Sequence, residues 1–309
     1  MLQDNIKLLI GSISEGFVGK EDTIEKLLVV LLAGGHILIE DVPGVGKTTL
    51  AKRMAESVDM KFARLQCTPD TLPTDIVGTS VFNAKTSDFE VVKGPVFCQL
   101  FLADEINRTS PKTQSALLEA MEEHQVTIDG NTFVLPDPFM VIATQNPVEQ
   151  LGTYPLPEAE LDRFMMKISI GYPELEMESI LAKKYLSHEL SSDSKAVLSS
   201  EDIIRMKEEV DAVILSDELI EYALGIIRRS RDMEELEYGL SPRAGLDLMK
   251  ASKAEAYIRQ RDYVIPEDII NMSKLTLPHR LVLTTKSRMN RYTGYQLILD
   301  IIDRVKRPQ

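Results

Sequence analysis

Glu40-Asp41-Val42-Pro43-Gly44-Val45-Gly46-Lys47-Thr48-Thr49 lies between an apolar run, His36-Ile37-Leu38-Ile39, and a helical pattern carried by Leu50, Met54 and Val58. A strand, a glycine-rich turn and a helix in that order make a phosphate cradle. Gly44 and Gly46 let the backbone curl so that successive N–H groups point at one anion. The helix that follows aims the positive end of its dipole at the same place. Lys47 is expected to reach the β- and γ-phosphates of a nucleotide, and the Thr48 hydroxyl to hold Mg²⁺. The usual pattern, G-x-x-x-x-G-K-[ST], has glycine where this chain has Asp41. A carboxylate facing inward would repel phosphate, so Asp41 is expected to point away.

Outward from this stretch, the first half of the chain alternates strands and helices. Further β-rich apolar runs are Phe62–Leu65, Leu100–Ala103, Phe139–Ala143 and Met166–Ile170. Ile24, Leu27, Leu28 and Leu31 repeat at helical spacing, and Gly34-Gly35 ends that helix. Ser110-Pro111 reads as an N-cap followed by proline at the first helical position, with Leu117, Leu118 and Met121 as the buried stripe. This alternation predicts an α/β fold with a mostly parallel sheet covered on both faces. After Pro173 the strands nearly vanish. Helical patterns run through Met177–Leu186, Ser200–Val210, Ser216–Arg229, Ser241–Arg259, Pro266–Leu275 and Tyr292–Val305. The expected division is 1–173 for the α/β domain and 174–309 for a smaller all-helical domain.

Composition narrows the class. The chain has 309 residues, 44 % hydrophobic and 27 % charged, as an ordinary packed globular protein does. Its net charge of −13 disfavours a general nucleic-acid binder, because an acidic surface repels phosphate backbones. Two cysteines, Cys67 and Cys98, make neither a disulfide framework nor a four-ligand zinc site, and read as buried thiols. His36, His124, His188 and His279 have no metal-ligand spacing and read as structural. The N-terminus lacks a basic stretch before an apolar core, and no apolar run approaches the ~20 residues of a membrane helix. A cytoplasmic protein without a membrane span is expected.

Three further segments carry chemistry. Leu100-Phe101-Leu102-Ala103-Asp104-Glu105 ends an apolar strand in two carboxylates, at the sheet edge where open α/β folds bind ligands. Alone, such a pair is most often a solvated loop; beside a phosphate cradle, Asp104 is expected to hold Mg²⁺ and Glu105 to deprotonate the attacking water. Ala143-Thr144-Gln145-Asn146 ends another strand, and Asn146 can touch both the γ-phosphate and that water. Two arginines follow. Arg163 stands just before the last strand, and Arg243 in the first turn of a helix, where a cation opposes the dipole and a nearby phosphate would give it a reason to be.

With these segments the chain resembles an AAA+ ATPase, and within that class the MoxR family. The resemblance rests on Leu38–Thr48, on Leu102-Ala103-Asp104-Glu105-Ile106-Asn107-Arg108 continuing through Pro111–Glu123, on Ala143–Pro147, Pro155–Ala159 and Leu161–Phe164, and on Ser241-Pro242-Arg243-Ala244. It implies an αβα phosphate-loop ATPase domain with a helical lid. It also implies ATP and Mg²⁺ as cofactors. Val18 and Gly19 would lie on adenine, and Pro43, Gly44, Val45, Gly46, Lys47, Thr48 and Thr49 would bind the nucleotide. Glu105 would be the base, Asn146 the first sensor, Arg163 a finger reaching a neighbour's site and Arg243 the lid's sensor. It implies a ring homo-oligomer, often a hexamer, and a hairpin at 125–135, with a family insertion including Phe89 to Pro95. The work implied is chaperone-like remodelling, activation or maturation of a partner, often one with a von Willebrand factor A domain. Competing expectations are a magnesium-chelatase-like motor subunit, a nucleic-acid motor and a nucleotide-gated scaffold.

Overall fold

The computed structural model describes residues 2–17, 19–147, 153–172, 175–186 and 196–308. Its first part runs α1 (Ile6–Gly16), α2 (Glu21–Leu32), β1 (Ile37–Glu40), α3 (Lys47–Ser57), β2 (Phe62–Gln66), α4 (Pro73–Val77), β3 (Gly78–Asn83), β4 (Asp88–Lys93), β5 (Leu100–Asp104), α5 (Pro111–Glu123), β6 (Gln125–Ile128), β7 (Asn131–Val134), β8 (Met140–Gln145), α6 (Glu158–Leu161) and β9 (Met166–Ile168). The second runs α7 (Leu175–Leu186), α8 (Ser200–Asp211), α9 (Asp217–Ser230), β10 (Leu236–Tyr238), α10 (Pro242–Ile258), α11 (Pro266–Thr276), β11 (Val282–Leu283), α12 (Thr285–Met289) and α13 (Gly294–Arg304).

The five apolar runs form one parallel sheet in the order β2-β5-β8-β1-β9. Strand periodicity then separates two faces. Leu100 and Leu102 of β5, Met140 and Ile142 of β8, and Ile37 and Ile39 of β1 belong to one apolar cluster. Phe101, Ala103, Val141, Ala143 and Leu38 belong to a second, under α5 and the β6–β7 hairpin. Both sets are inaccessible to solvent, which is why these strands read as unbroken apolar runs rather than alternating ones. Ser110 caps α5 by accepting from the Thr113 amide at 3.3 Å, with Pro111 at the first helical position.

The helical part follows the expected order, with two departures, the short helix α12 (Thr285–Met289), which no expected pattern covers, and a pair of strands. Leu236–Tyr238 and Val282–Leu283 pair as a short antiparallel ribbon, so among the described residues this part is helical but for two strands of three and two residues. Strands that short carry too little periodicity to be seen in sequence. The first apolar cluster does not stop at the sheet. It runs through α1 and α2 into Ile203 and Met206 of α8, Ile226 of α9, and Leu248, Ala251 and Ala254 of α10. Small residues on α10 let it lie close against α2. Among the described residues no helix is long and apolar enough to cross a membrane.

Because the lid and the sheet face share one cluster, Leu248→Ala is expected to lower the unfolding free energy of the whole chain by about 2–5 kcal/mol. Urea unfolding followed by tyrosine fluorescence and by far-UV circular dichroism should give one coincident transition. Two separated transitions, with only the later residues affected, would show independent cores.

Candidate active site

The loop after β1 has the geometry that its sequence calls for. Gly44 and Gly46 adopt φ of 89° and 86°, in the left-handed region that glycine enters freely. Gly46 is the N-cap of α3, and no acidic residue lies in that helix's first turn. A Cβ on Gly46 would come within 2.9 Å of the Phe17 ring. Lys47 turns its ammonium back over the loop, donating to the carbonyls of Asp41 (2.8 Å) and Val42 (3.3 Å). Asp41 is buried, and its carboxylate is directed at the end of β9 and not at the cradle. Oδ2 accepts from Ser169 Oγ (3.0 Å), Ile170 N (2.7 Å) and Gly171 N (2.6 Å), and Oδ1 from Val42 N (2.8 Å). Burial opposes its ionisation, but these donors, Gly171 first, outweigh burial and hold its pKa below the ordinary value. Glycines in left-handed conformations, a helix N-terminus free of carboxylates and an Asp41 turned aside together fit a polyphosphate and its metal.

Parallel pairing brings the acidic pair to the same edge. Ala103 is level with Ala143, and Ile39 with Thr144. Asp104 closes β5 and is nearly buried. Its Oδ1 accepts from Thr144 Oγ1 at 2.6 Å and its Oδ2 from Arg64 Nη2 at 2.7 Å. The backbone then swings into the left-handed region at Glu105 (φ 59°), and the Glu105 amide donates to the same Thr144 hydroxyl at 2.9 Å. Glu105 Oε2 accepts from Gln66 Nε2 (2.9 Å) and Arg108 Nη1 (3.0 Å). Asn146 follows β8 and is buried at this edge. Cys67, whose amide donates to the Asp104 carbonyl, is pushed up to about 12 by burial and then by the charges of Asp104 and Glu105. It is therefore a thiol, as is Cys98, also raised to about 12 by burial.

The two arginines stand elsewhere. Arg163 and Arg243 share one carboxylate: Glu122 takes Arg163 Nε at 3.3 Å and Arg243 Nη1 at 2.9 Å. Glu122 is in the last turn of α5, which has run back from the carboxyl edge, so this pair lies at the opposite, amino edge of the sheet. With Lys250, His36 and His124 they line a cavity of about 250 Å³. The supports of this cluster centre on the buried Arg280. Asp162 accepts from Ser241 Oγ (3.0 Å), the N-cap of α10, and from Arg280 Nη1 (3.2 Å). Arg280 also holds Asp247 (2.7 Å) and the Phe164 carbonyl (2.8 Å). His36 accepts from the Val141 amide at Nδ1, so its Nε2 carries the proton donated to the Met121 carbonyl.

The structure thus brings Lys47, Thr48, Asp104, Glu105 and Asn146 to one edge and sets Arg163 and Arg243 at the other. Val18 lies outside the described residues. Gly19 (φ 81°) faces Met177 of α7, where a Cβ would come within 2.6 Å. Sequence reading missed Arg64, Gln66, Arg108, Thr144, Glu122 and Arg280. Arg64 and Gln66 had a signal, since residues two apart on a strand share a face. Arg108 had another, three residues after Glu105. Arg280 had none, because its partners are between 33 and 118 residues away.

Burial lowers His36 to about 4 and His279 to about 3, each from 6.5. The unfolded chain therefore binds protons that these rings refuse when folded. Stability is expected to be fully present above pH 6.5 and to fall as pH drops toward 4, at up to about 1.4 kcal/mol per pH unit for each ring. Urea midpoints over this window should show the fall, made shallower by His36→Gln. A flat profile would contradict the assignment.

Residues 36–166 match the model of the ATPase family associated with various cellular activities (AAA), and residues 228–301 that of the AAA lid domain. The Bacillus subtilis protein YeaC is 46 % identical over 99 % of this chain and 97 % of its own length. Chaperone MoxR1 of Mycobacterium tuberculosis is 41 % identical over 94 % of this chain and 79 % of its own. A crystal structure from Cytophaga hutchinsonii superposes with a TM-score of 0.94 at 39 % identity, covering 100 % of this chain and 96 % of that one. A phosphate loop, an acidic strand end and a helical lid, in a chain this similar to MoxR1 over most of its length, make the protein a member of the MoxR family of AAA+ ATPases.

Proposed function

We propose that the protein is a Mg²⁺-dependent ATP hydrolase whose site is completed between copies in a ring, a hexamer, in the cytoplasm. One observation carries this reading. Arg163 and Arg243 sit together on Glu122, at the sheet edge away from Lys47, Asp104 and Glu105. A single copy therefore has a cradle and a base whose near arginines, Arg64 and Arg108, are engaged on Asp104 and Glu105, while Arg163 and Arg243 stand away from them. A neighbouring copy would offer its arginine pair to this copy's nucleotide.

The chain's own groups then have distinct tasks. The amides of the loop at Gly44–Lys47 and the Lys47 ammonium bind the phosphates, with Pro43 and Thr49 at the loop's ends. Thr48 and Asp104 would hold the metal, which would supply neutralisation of phosphate charge. Thr144 fixes both Asp104 and the Glu105 amide, so metal site and base keep one relative position. Glu105 accepts the proton of the attacking water, and Gln66 and Arg108 orient its carboxylate. Asn146 orients that water. The arginines stabilise charge that develops in transfer. Residues 1–173 and 174–309 act as motor and lid. Turnover drives remodelling or maturation of a partner protein, with von Willebrand factor A-domain proteins the class to be tried first. The similarity to a chaperone, MoxR1, supports this.

Turnover per subunit is expected to rise steeply with protein concentration. Glu105→Gln should keep ATP affinity and lose about 10²–10⁴ in rate. Arg163→Ala should lose about 10³–10⁵, and Lys47→Ala should lose turnover through lost phosphate binding. Mixed together, the Arg163→Ala and Lys47→Ala proteins should regain activity, because one supplies intact loops and the other intact arginines. No recovery in mixed rings would defeat the shared site.

A further inference from the structure

We propose that Asp41 is a positioning residue for ATP binding, latching the phosphate loop to the segment through which the sheet leaves for the lid. The inference rests on the loop being an ATP site. Asp41 stands where phosphate loops usually have glycine, yet it is not among the residues with positive φ, so the backbone here does not call for glycine. The side chain is only 7 % exposed with its residue, and four donors converge on it. Val42 N belongs to the loop; Ser169 Oγ, Ile170 N and Gly171 N belong to the exit of β9.

Asp41 also meets the site through its backbone. Its carbonyl accepts the Lys47 ammonium at 2.8 Å, and its amide donates to the Gln145 carbonyl at 3.1 Å, one residue before Asn146. The same exit segment is gripped from its other side by Lys20, which donates to the carbonyls of Ile170 (2.8 Å) and Tyr172 (3.0 Å). Lys20 adjoins Gly19, against which Met177 of α7 packs. Residues 169–172 are therefore held between a carboxylate on the phosphate loop and an ammonium on the N-terminal segment. Charge-assisted bonds of this kind are short and stiff. A shift of the loop around a nucleotide must be felt at residues 169–172, and a shift of those residues must be felt by Lys47.

The test compares wild type with Asp41→Asn and Ser169→Ala, each checked for fold by circular dichroism. Kd for ATP, kcat and KM are measured, with hydrogen exchange at the Ile170 and Gly171 amides with and without ATP. Asp41→Asn replaces one acceptor oxygen by an amide NH2 facing donors. It should raise Kd and KM about tenfold or more, while kcat at saturation changes far less. Ile170 and Gly171 should exchange slowly in wild type and more slowly with ATP, and quickly in Asp41→Asn whether or not ATP is present. Ser169→Ala removes one of the donors and should give a smaller shift in the same direction. It decides the matter if Asp41→Asn does not fold. Wild-type Kd and wild-type exchange in a folded variant would overturn the latch and leave the ATP site standing. If wild-type protein itself binds no ATP, the ATP site falls, and the latch with it.

Discussion

Parallel pairing of β1, β5 and β8 is the constraint on which the site depends. In a parallel sheet every strand ends on the same side, so whatever residue follows an apolar run is delivered to one edge. Glu40 and Asp41, Asp104 and Glu105, and Gln145 and Asn146 reach that edge because three runs of similar length lie in register. The Thr144 hydroxyl then locks two of these ends together, donating to Asp104 and accepting from the Glu105 amide. A buried hydroxyl with both roles satisfied is rigid in a way that surface contacts are not. The positions of Asp104 and of the Glu105 backbone are thus set by the core and not by the loops.

The same topology separates the arginines from the chemistry. A helix that starts at the carboxyl edge must return to the amino edge, and α5 carries Glu122 there. The link from α6 into β9 crosses the amino edge too, and brings Arg163. Arg243 arrives from the lid, held by Ser241 on Asp162 and by the buried Arg280. A buried guanidinium with two carboxylates and a carbonyl contributes definition more than stability, since desolvation offsets much of its attraction. Here it fixes where the lid meets the α/β part, and so where the arginine pair faces.

Sequence reading was strongest where one residue's neighbours along the chain are also its neighbours in space. The phosphate loop is such a case, because strand, turn and helix are contiguous and the glycine φ values follow from the turn. The caps at Ser110 and Ser241 are others. Reading weakened where a side chain's partner is remote. Asn146 is legible as the polar group after β8, while nothing local marks Thr144, two residues earlier. Only the pairing of β8 with β5 gives its hydroxyl two partners. Helical spacing found α8 to α11 but could not show that α10 lies on α2, since packing partners leave no trace in periodicity.

The sequence by itself determined the strand–turn–helix of the phosphate loop, the apolar runs of the sheet and the carboxylates that end one of them. Those features follow from local backbone preference and from the two-residue and 3.6-residue periods. The tertiary structure alone decided which groups hold those residues still. It turned Asp41 to the exit of β9, gave Glu105 its partners Gln66 and Arg108, and put Arg163 and Arg243 on one glutamate across the sheet. Hydrogen bonds and ion pairs between remote residues depend on strand order and helix docking, and neither is written in any local stretch of the chain.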